Sequence, residues 1–187
     1  MVLRSKRFEG TQSRIKRTKE GSTMKTGMSL VMVLAIMLAW AGCAEKEEGV
    51  IPLERLNAQT LWKKMSQDEP YAQYGFWPDN VGLVEGNSPH GDLIKTFVND
   101  KAVEPEGLVF PDGSLIVKEN YMADTTLAKL TVMYKAKGYN PDGADWFWAV
   151  YDPDGSVKAE GKVQSCIGCH SVRKDNDFVF LHTIADK

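Results

Sequence analysis

The chain is short of the residues that usually build metal and redox centres: its 187 residues hold only three cysteines and three histidines. A structural zinc site takes four ligands, usually from two Cys/His pairs. Beyond the cluster Cys166, Cys169 and His170, only His90 and His182 are left, and they do not form a second pair in the sequence. Zinc is therefore disfavoured. A thioredoxin-like thiol pair belongs near the first βαβ unit of its domain, whereas this one lies close to the C-terminus. A disulfide across two intervening residues would close a loop too small to stabilise much. Long apolar runs are missing too. The longest, residues 28–42, has 15 residues, short of the about 20 that a membrane-spanning helix needs. Low-complexity tracts are absent, and 43% apolar with 26% charged residues is an ordinary globular composition.

Charge is distributed unevenly. Residues 1–43 carry eight Lys and Arg against two Asp and Glu, which leaves 15 basic and 23 acidic residues, a net of −8, in 44–187. An acidic body argues against nucleic acid as a partner, because phosphate binding needs basic patches.

The first 43 residues read as an export segment and 44–187 as one domain. Lys25, the apolar run 28–42 and the small residues before Cys43 form a secretory pattern. Ala41, Gly42 and Cys43 resemble a bacterial lipobox, in which the cysteine becomes the lipidated first mature residue; Trp40 departs from that pattern. A lipid on Cys43 is the favoured reading, with simple cleavage and an uncleaved anchor as alternatives. Ala44 resembles an outer-membrane address, which puts the domain on the periplasmic face. Residues 1–23 are basic and polar and precede a complete signal starting at Met24. A purine-rich coding sense of Lys19-Glu20-Gly21 resembles a ribosome-binding site, so translation is expected to start at Met24; a long charged leader from Met1 is the alternative.

Ser165–His170, SCIGCH, carries the chemistry. Two thiols in C-x-x-C can each bond one vinyl group of the same haem, and the adjacent histidine then meets the iron. The spacing predicts one covalent haem c held by Cys166 and Cys169, with His170 as axial ligand. Its attachment outside the inner membrane agrees with the export segment.

The body is expected to be α+β, mainly an antiparallel sheet with a few flanking helices and the haem near the C-terminus. Residues 53–67 place apolar side chains at 53, 56, 61 and 65, a helical face. A second helix is expected over 90–103, with Asn87 or Ser88 as cap, Pro89 in its first turn, and Leu93, Ile94, Phe97 and Val98 as its stripe. Pro-Asp-Gly recurs at 111–113, 141–143 and 153–155. Proline presets one turn dihedral, aspartate bonds its own backbone and glycine takes positive φ. Strands are expected at 115–119, 127–136 and 145–151. In the last, Trp146, Trp148 and Val150 share one face and Phe147, Ala149 and Tyr151 the other, so it reads as a central strand covered on both sides.

From about 88 to 182 the chain resembles the cytochrome P-460 family, which includes the β-sheet cytochromes c′. The matching pieces are HGD at 90–92, FVND at 97–100, FPDGSLIVKE at 110–119, GYNPDGADWFWAVY at 138–151, CIGCH, and DFVF at 177–180. The resemblance implies an antiparallel β domain, often a homodimer. It implies a five-coordinate haem open to hydroxylamine or nitric oxide, with a redox partner cytochrome for an oxidoreductase. It also implies a lysine bonded to the haem edge in the enzymes. Lys101 and Lys118 lie in matching segments, and Lys101 is favoured by its separation from the haem motif. Glu119 is a candidate base for taking protons from hydroxylamine. His90 is read as a capping or surface residue that could instead reach the distal pocket or a propionate, and His182 as no ligand. The alternative function is a six-coordinate electron carrier, with Met65, Met122 or Met133 as sixth ligand.

Overall fold

A computed structural model describes residues 49–103, 105, 109–180 and 182. The chain divides into Met1–Glu45 and Lys46–Lys187, and only the second unit contains described residues. The export segment, Cys43 included, lies outside them.

Six strands form one antiparallel sheet in simple sequence order: β1 (Leu83–Glu85), β2 (Leu93–Val98), β3 (Leu115–Tyr121), β4 (Leu127–Lys135), β5 (Trp146–Tyr151) and β6 (Val157–Gly161). Each strand pairs with the next. Among the described residues three short α-helices accompany it: α1 (Ala58–Lys63), α2 (Asp100–Val103) and α3 (Gln164–His170). The mainly antiparallel α+β architecture is the one expected.

Strand alternation gives the sheet two apolar faces. One carries Phe97, Leu115, Val117, Val132, Tyr134, Phe147, Ala149 and Tyr151, and it is covered by Ala58, Leu61 and Met65 of the α1 segment. Asn57 caps α1 by accepting from the Thr60 amide at 2.8 Å. After Lys63 the helix widens into a π turn over Lys64–Asp68, so the helical face expected over 53–67 exists but is not one uniform helix. The tyrosines fasten this layer. Tyr134 accepts from the Ile51 amide at 2.7 Å, and Tyr151 donates to the Ala58 carbonyl at 2.8 Å. The other sheet face carries Val98, Ile116, Met133, Trp146 and Trp148, packed against Trp77, Phe110, Phe178 and residues of α3. β5 thus lies inside the sheet with both faces covered, as its aromatic alternation predicts.

The helix expected over 90–103 is not formed. Leu93–Val98 is β2, and only Asp100–Val103 is helical. The apolar positions 93, 94, 97 and 98 fit a helical stripe, but they equally fill both faces of a strand covered on two sides. Phe97 enters one core and Val98 the other.

The Pro-Asp-Gly triplets all make turns, each in its own way. Gly113 and Gly155 take φ of +81° and +89°, which spares a side chain the left-handed penalty. The third triplet closes the β5–β6 hairpin, where the Asp152 amide bonds the Ser156 carbonyl at 2.9 Å. In the second, Pro141–Gly143 forms a 3-10 turn and the positive φ falls on Ala144 and Asp145 instead.

Candidate functional site

α3 presents Cys166, Cys169 and His170 one helical turn apart, so the three side chains share a face. All three line a cavity of about 460 Å³ between α3, the second sheet face and the β1–β2 loop. His170 is buried, and its Nδ1 lies 2.7 Å from the Phe178 carbonyl. A carbonyl can only accept, so Nδ1 carries the proton and Nε2 keeps a free lone pair. Burial holds the His170 imidazolium below its usual range, with the Lys118 ammonium adding to the effect and the Phe178 carbonyl opposing it. Rings of Trp148 and Phe180 pack around it, with centroids at 4.7 and 5.1 Å.

The Phe178 carbonyl is delivered by a corner of backbone. Asp177 and Phe178 both take positive φ, +49° and +66°, a conformation that costs non-glycine residues energy. The corner is tied at several points. The Asp177 carboxylate pairs with Lys135 at 2.7 Å and accepts from the Phe110 amide at 2.8 Å. The Asp177 carbonyl accepts from the Trp146 indole at 2.7 Å. A buried ion pair therefore stands behind the orientation of His170.

The facing wall comes from the sheet and the β1–β2 loop. Ile116 and Lys118 of β3, Thr131 and Met133 of β4, and Trp148 of β5 line the cavity. Burial brings the Lys118 amine down to about 8. From the loop comes His90, which burial, helped by the nearby Lys118 ammonium, pushes down to about 4. Burial thus favours the neutral form of both cavity imidazoles. His90 Nδ1 lies 2.9 Å from Asn120 Oδ1. Asn120 is fully buried and points its amide nitrogen at three acceptors: the Lys118 carbonyl at 2.9 Å, the Lys129 carbonyl at 3.2 Å and Thr131 Oγ1 at 3.2 Å. That fixes the orientation of the amide, since the two carbonyls can only accept. Oδ1 must then accept from His90, whose Nε2 is left free.

A family model described as Cytochrome P460 matches residues 72–181. The chain belongs to the cytochrome P460 family. It is accordingly a haem cytochrome of that family. A search of the curated proteins finds no match to the chain.

The cavity of this cytochrome P460 suits a haem. Its floor is apolar and aromatic, and two thiols and an imidazole lone pair stand at one wall. The Trp148 indole N–H is buried with no partner among the described residues, an unspent donor that a carboxylate of the group can satisfy. Lys118 and Lys129 supply positive charge at the lining.

Other expected site residues lie elsewhere. Lys101, in α2, donates to the Asp112 carbonyl at 3.1 Å and lies against Gly113. It is not brought to the cavity, because β2 ends at Val98 and α2 turns toward the Pro111–Gly113 turn. Of the two candidate lysines, Lys118 is the one that reaches it. Glu119 is next in sequence to Lys118 and therefore on the opposite sheet face. There it accepts from the hydroxyls of Tyr71 at 2.8 Å and Tyr121 at 2.6 Å, away from the chemistry expected of it. Met65 is buried under α1 and Met122 is exposed; Met133 alone of the three lines the cavity. His182 stacks on Trp77 at 4.9 Å and meets Asp79 at 3.0 Å. Asn120 was not legible as a functional residue, for a polar residue inside a strand carries no pattern of its own.

Proposed function

We propose that this cytochrome is an exported monohaem c-type protein that meets nitric oxide or hydroxylamine at its haem iron and exchanges electrons with a partner cytochrome. The observation that carries this reading is the joint arrival of Cys166, Cys169 and His170 in one cavity, with His170 Nδ1 already held by Phe178. Cys166 and Cys169 would hold the haem through thioethers and His170 Nε2 would ligate the iron. When bound, a haem supplies one-electron redox chemistry and a metal that takes small nitrogen ligands.

The chain's own residues do the rest. The Phe178 carbonyl strengthens His170 as a donor by holding its N–H. The apolar wall of Ile116, Met133 and Trp148 excludes water. Lys118 takes over from Lys101 as the candidate for a bond to the haem edge, since it lines the cavity and its amine, depressed to about 8, is partly neutral near pH 8. Proton acceptance passes from Glu119 to His90, whose Nδ1 is held by Asn120, which leaves Nε2 as the accepting nitrogen. Residues 1–43 serve as the export signal, with Cys43 lipidated at the outer membrane, and a homodimer is carried over from the family resemblance.

The test uses the full chain matured in a bacterium with cytochrome c assembly machinery. Anaerobic titration of the ferrous protein with nitric oxide is expected to shift the Soret band and saturate at one equivalent per haem. Hydroxylamine with an artificial electron acceptor then reads turnover. A holoprotein that responds to neither is a plain electron carrier, and the nitrogen-compound reading fails.

A further inference from the structure

We propose that Lys135 and Trp146 are positioning residues for His170. They form a cross-strand clamp that holds the Phe178 carbonyl on the axial histidine and so sets how strongly that histidine donates to the iron. The inference rests on the haem site described above and goes beyond it. It gives the end of β4 and the start of β5 a part in the redox chemistry, exerted through Asp177 and Phe178.

The clamp is one cross-strand pair. Lys135 ends β4, Trp146 begins β5, and the two are register partners. Lys135 Nζ lies 4.8 Å from the centre of the Trp146 ring, and both side chains are buried. Both grip Asp177, at different groups. The ammonium meets the two carboxylate oxygens at 2.8 and 2.7 Å, and the indole N–H donates to the backbone carbonyl at 2.7 Å. The Phe110 amide donates to the carboxylate as well, at 2.8 Å. The Asp177 amide closes on the Arg173 carbonyl, as does the Phe178 amide at 2.8 Å. Every polar group of Asp177 is therefore engaged. The next peptide plane carries the carbonyl that serves His170, and its Val179 amide donates to the Asn176 carbonyl at 2.9 Å. Asp177 lies between the two residues that fix that plane, so gripping it orients both.

Stability alone does not account for this arrangement. A well-packed apolar pair is often at least as stable as a buried ion pair, and two successive non-glycine residues at positive φ store strain. What the arrangement delivers is one carbonyl 2.7 Å from His170 Nδ1. Placement points the same way. Lys135 and Trp146 lie two residues along from Met133 and Trp148, on the same sheet face, and those two line the cavity. The face that floors the cavity thus also anchors the acceptor of its axial ligand.

The consequence for the metal has a definite sign. A hydrogen bond from Nδ1 to a fixed acceptor raises the basicity of the ligating Nε2 and so favours the oxidised iron. Loosening the corner lets the carbonyl swing off the ring. His170 is then the weaker donor, and the reduction potential rises.

The experiment uses the matured holoprotein, with haem attachment scored separately by the pyridine haemochrome spectrum. Two quantities are read. One is the reduction potential. The other is solvent exchange of the His170 Nδ1 proton, followed by proton NMR in the diamagnetic ferrous carbon monoxide complex. Trp146→Phe removes the indole donor, and Lys135→Met/Asp177→Asn removes the ion pair without stranding a charge. Both variants are expected to speed the exchange about tenfold or more, as local opening becomes easier, and to raise the potential. Lys135→Arg keeps the pair and is expected to stay near the wild type. Glu119→Gln loosens the opposite sheet face without touching the clamp and is expected to move neither quantity. Attached haem with unchanged exchange and potential in Trp146→Phe overturns the clamp and leaves the haem site intact. So does a shift in Glu119→Gln as large as that in Trp146→Phe, the mark of a merely structural effect. A wild type without attached haem overturns both readings. The double variant is read in the same way if Trp146→Phe does not fold.

Discussion

Removing the Asp177 carboxylate tests how the C-terminal corner holds His170. In Asp177→Ala the Lys135 ammonium loses its only ion-pair partner among the described residues, with the two side chains 7% and 4% exposed. Breaking one side of a buried pair costs about 3–5 kcal/mol, because the remaining charge is stranded. The Phe110 amide also loses its acceptor, worth about 1 kcal/mol. Relief of the positive-φ corner at Asp177 and Phe178 returns about 1–3 kcal/mol. The net expectation is about 3 kcal/mol, which for a domain of this size lowers the melting temperature by roughly 10 °C. Urea unfolding of the holoprotein, followed by far-ultraviolet circular dichroism, measures it. The double variant Lys135→Met/Asp177→Ala strands no charge and is expected to recover at least half of the loss. A single-variant cost below about 1 kcal/mol would refute the idea that this pair holds the corner, as would a double variant no better than the single.

Three further outcomes follow from the same geometry. Lys118→Met is expected to change the Soret and visible spectrum of the holoprotein, whereas Lys101→Met leaves it unchanged; the reverse result would return the haem-edge role to Lys101. Glu119→Gln weakens two tyrosine hydrogen bonds on the far face and is expected to cost about 1 kcal/mol in urea unfolding without moving the haem spectrum or the nitric oxide titration. Gly91→Ala pushes a Cβ into the Tyr121 backbone, and is expected to lower the urea midpoint of the holoprotein by displacing the β1–β2 loop from β3.

Local patterns were readable from the sequence and long-range placement was not. The C-x-x-C-H cluster needs only its own spacing to be recognised. β5 could be recognised because Trp146, Trp148, Phe147 and Tyr151 are apolar on both parities, a pattern that only a strand covered twice explains. The same property misled at 93–98, where two filled strand faces imitate a helical stripe. Lys118 and Glu119 show the limit most clearly. Alternation says they point opposite ways, but which face meets α3 depends on packing that no local pattern encodes. Asn120 and His90 come together from 30 residues apart, through the pairing of β2 with β3, and nothing near either residue announces the contact.

The central claim is that one haem is covalently held in this cavity, and peptide mass analysis of the matured protein tests it most directly. Cleavage after Lys162 and Arg173 releases Val163–Arg173. The account predicts that this peptide carries the mass of one haem, bonded at both Cys166 and Cys169. A peptide of unmodified mass, or one holding only a Cys166–Cys169 disulfide, would contradict it.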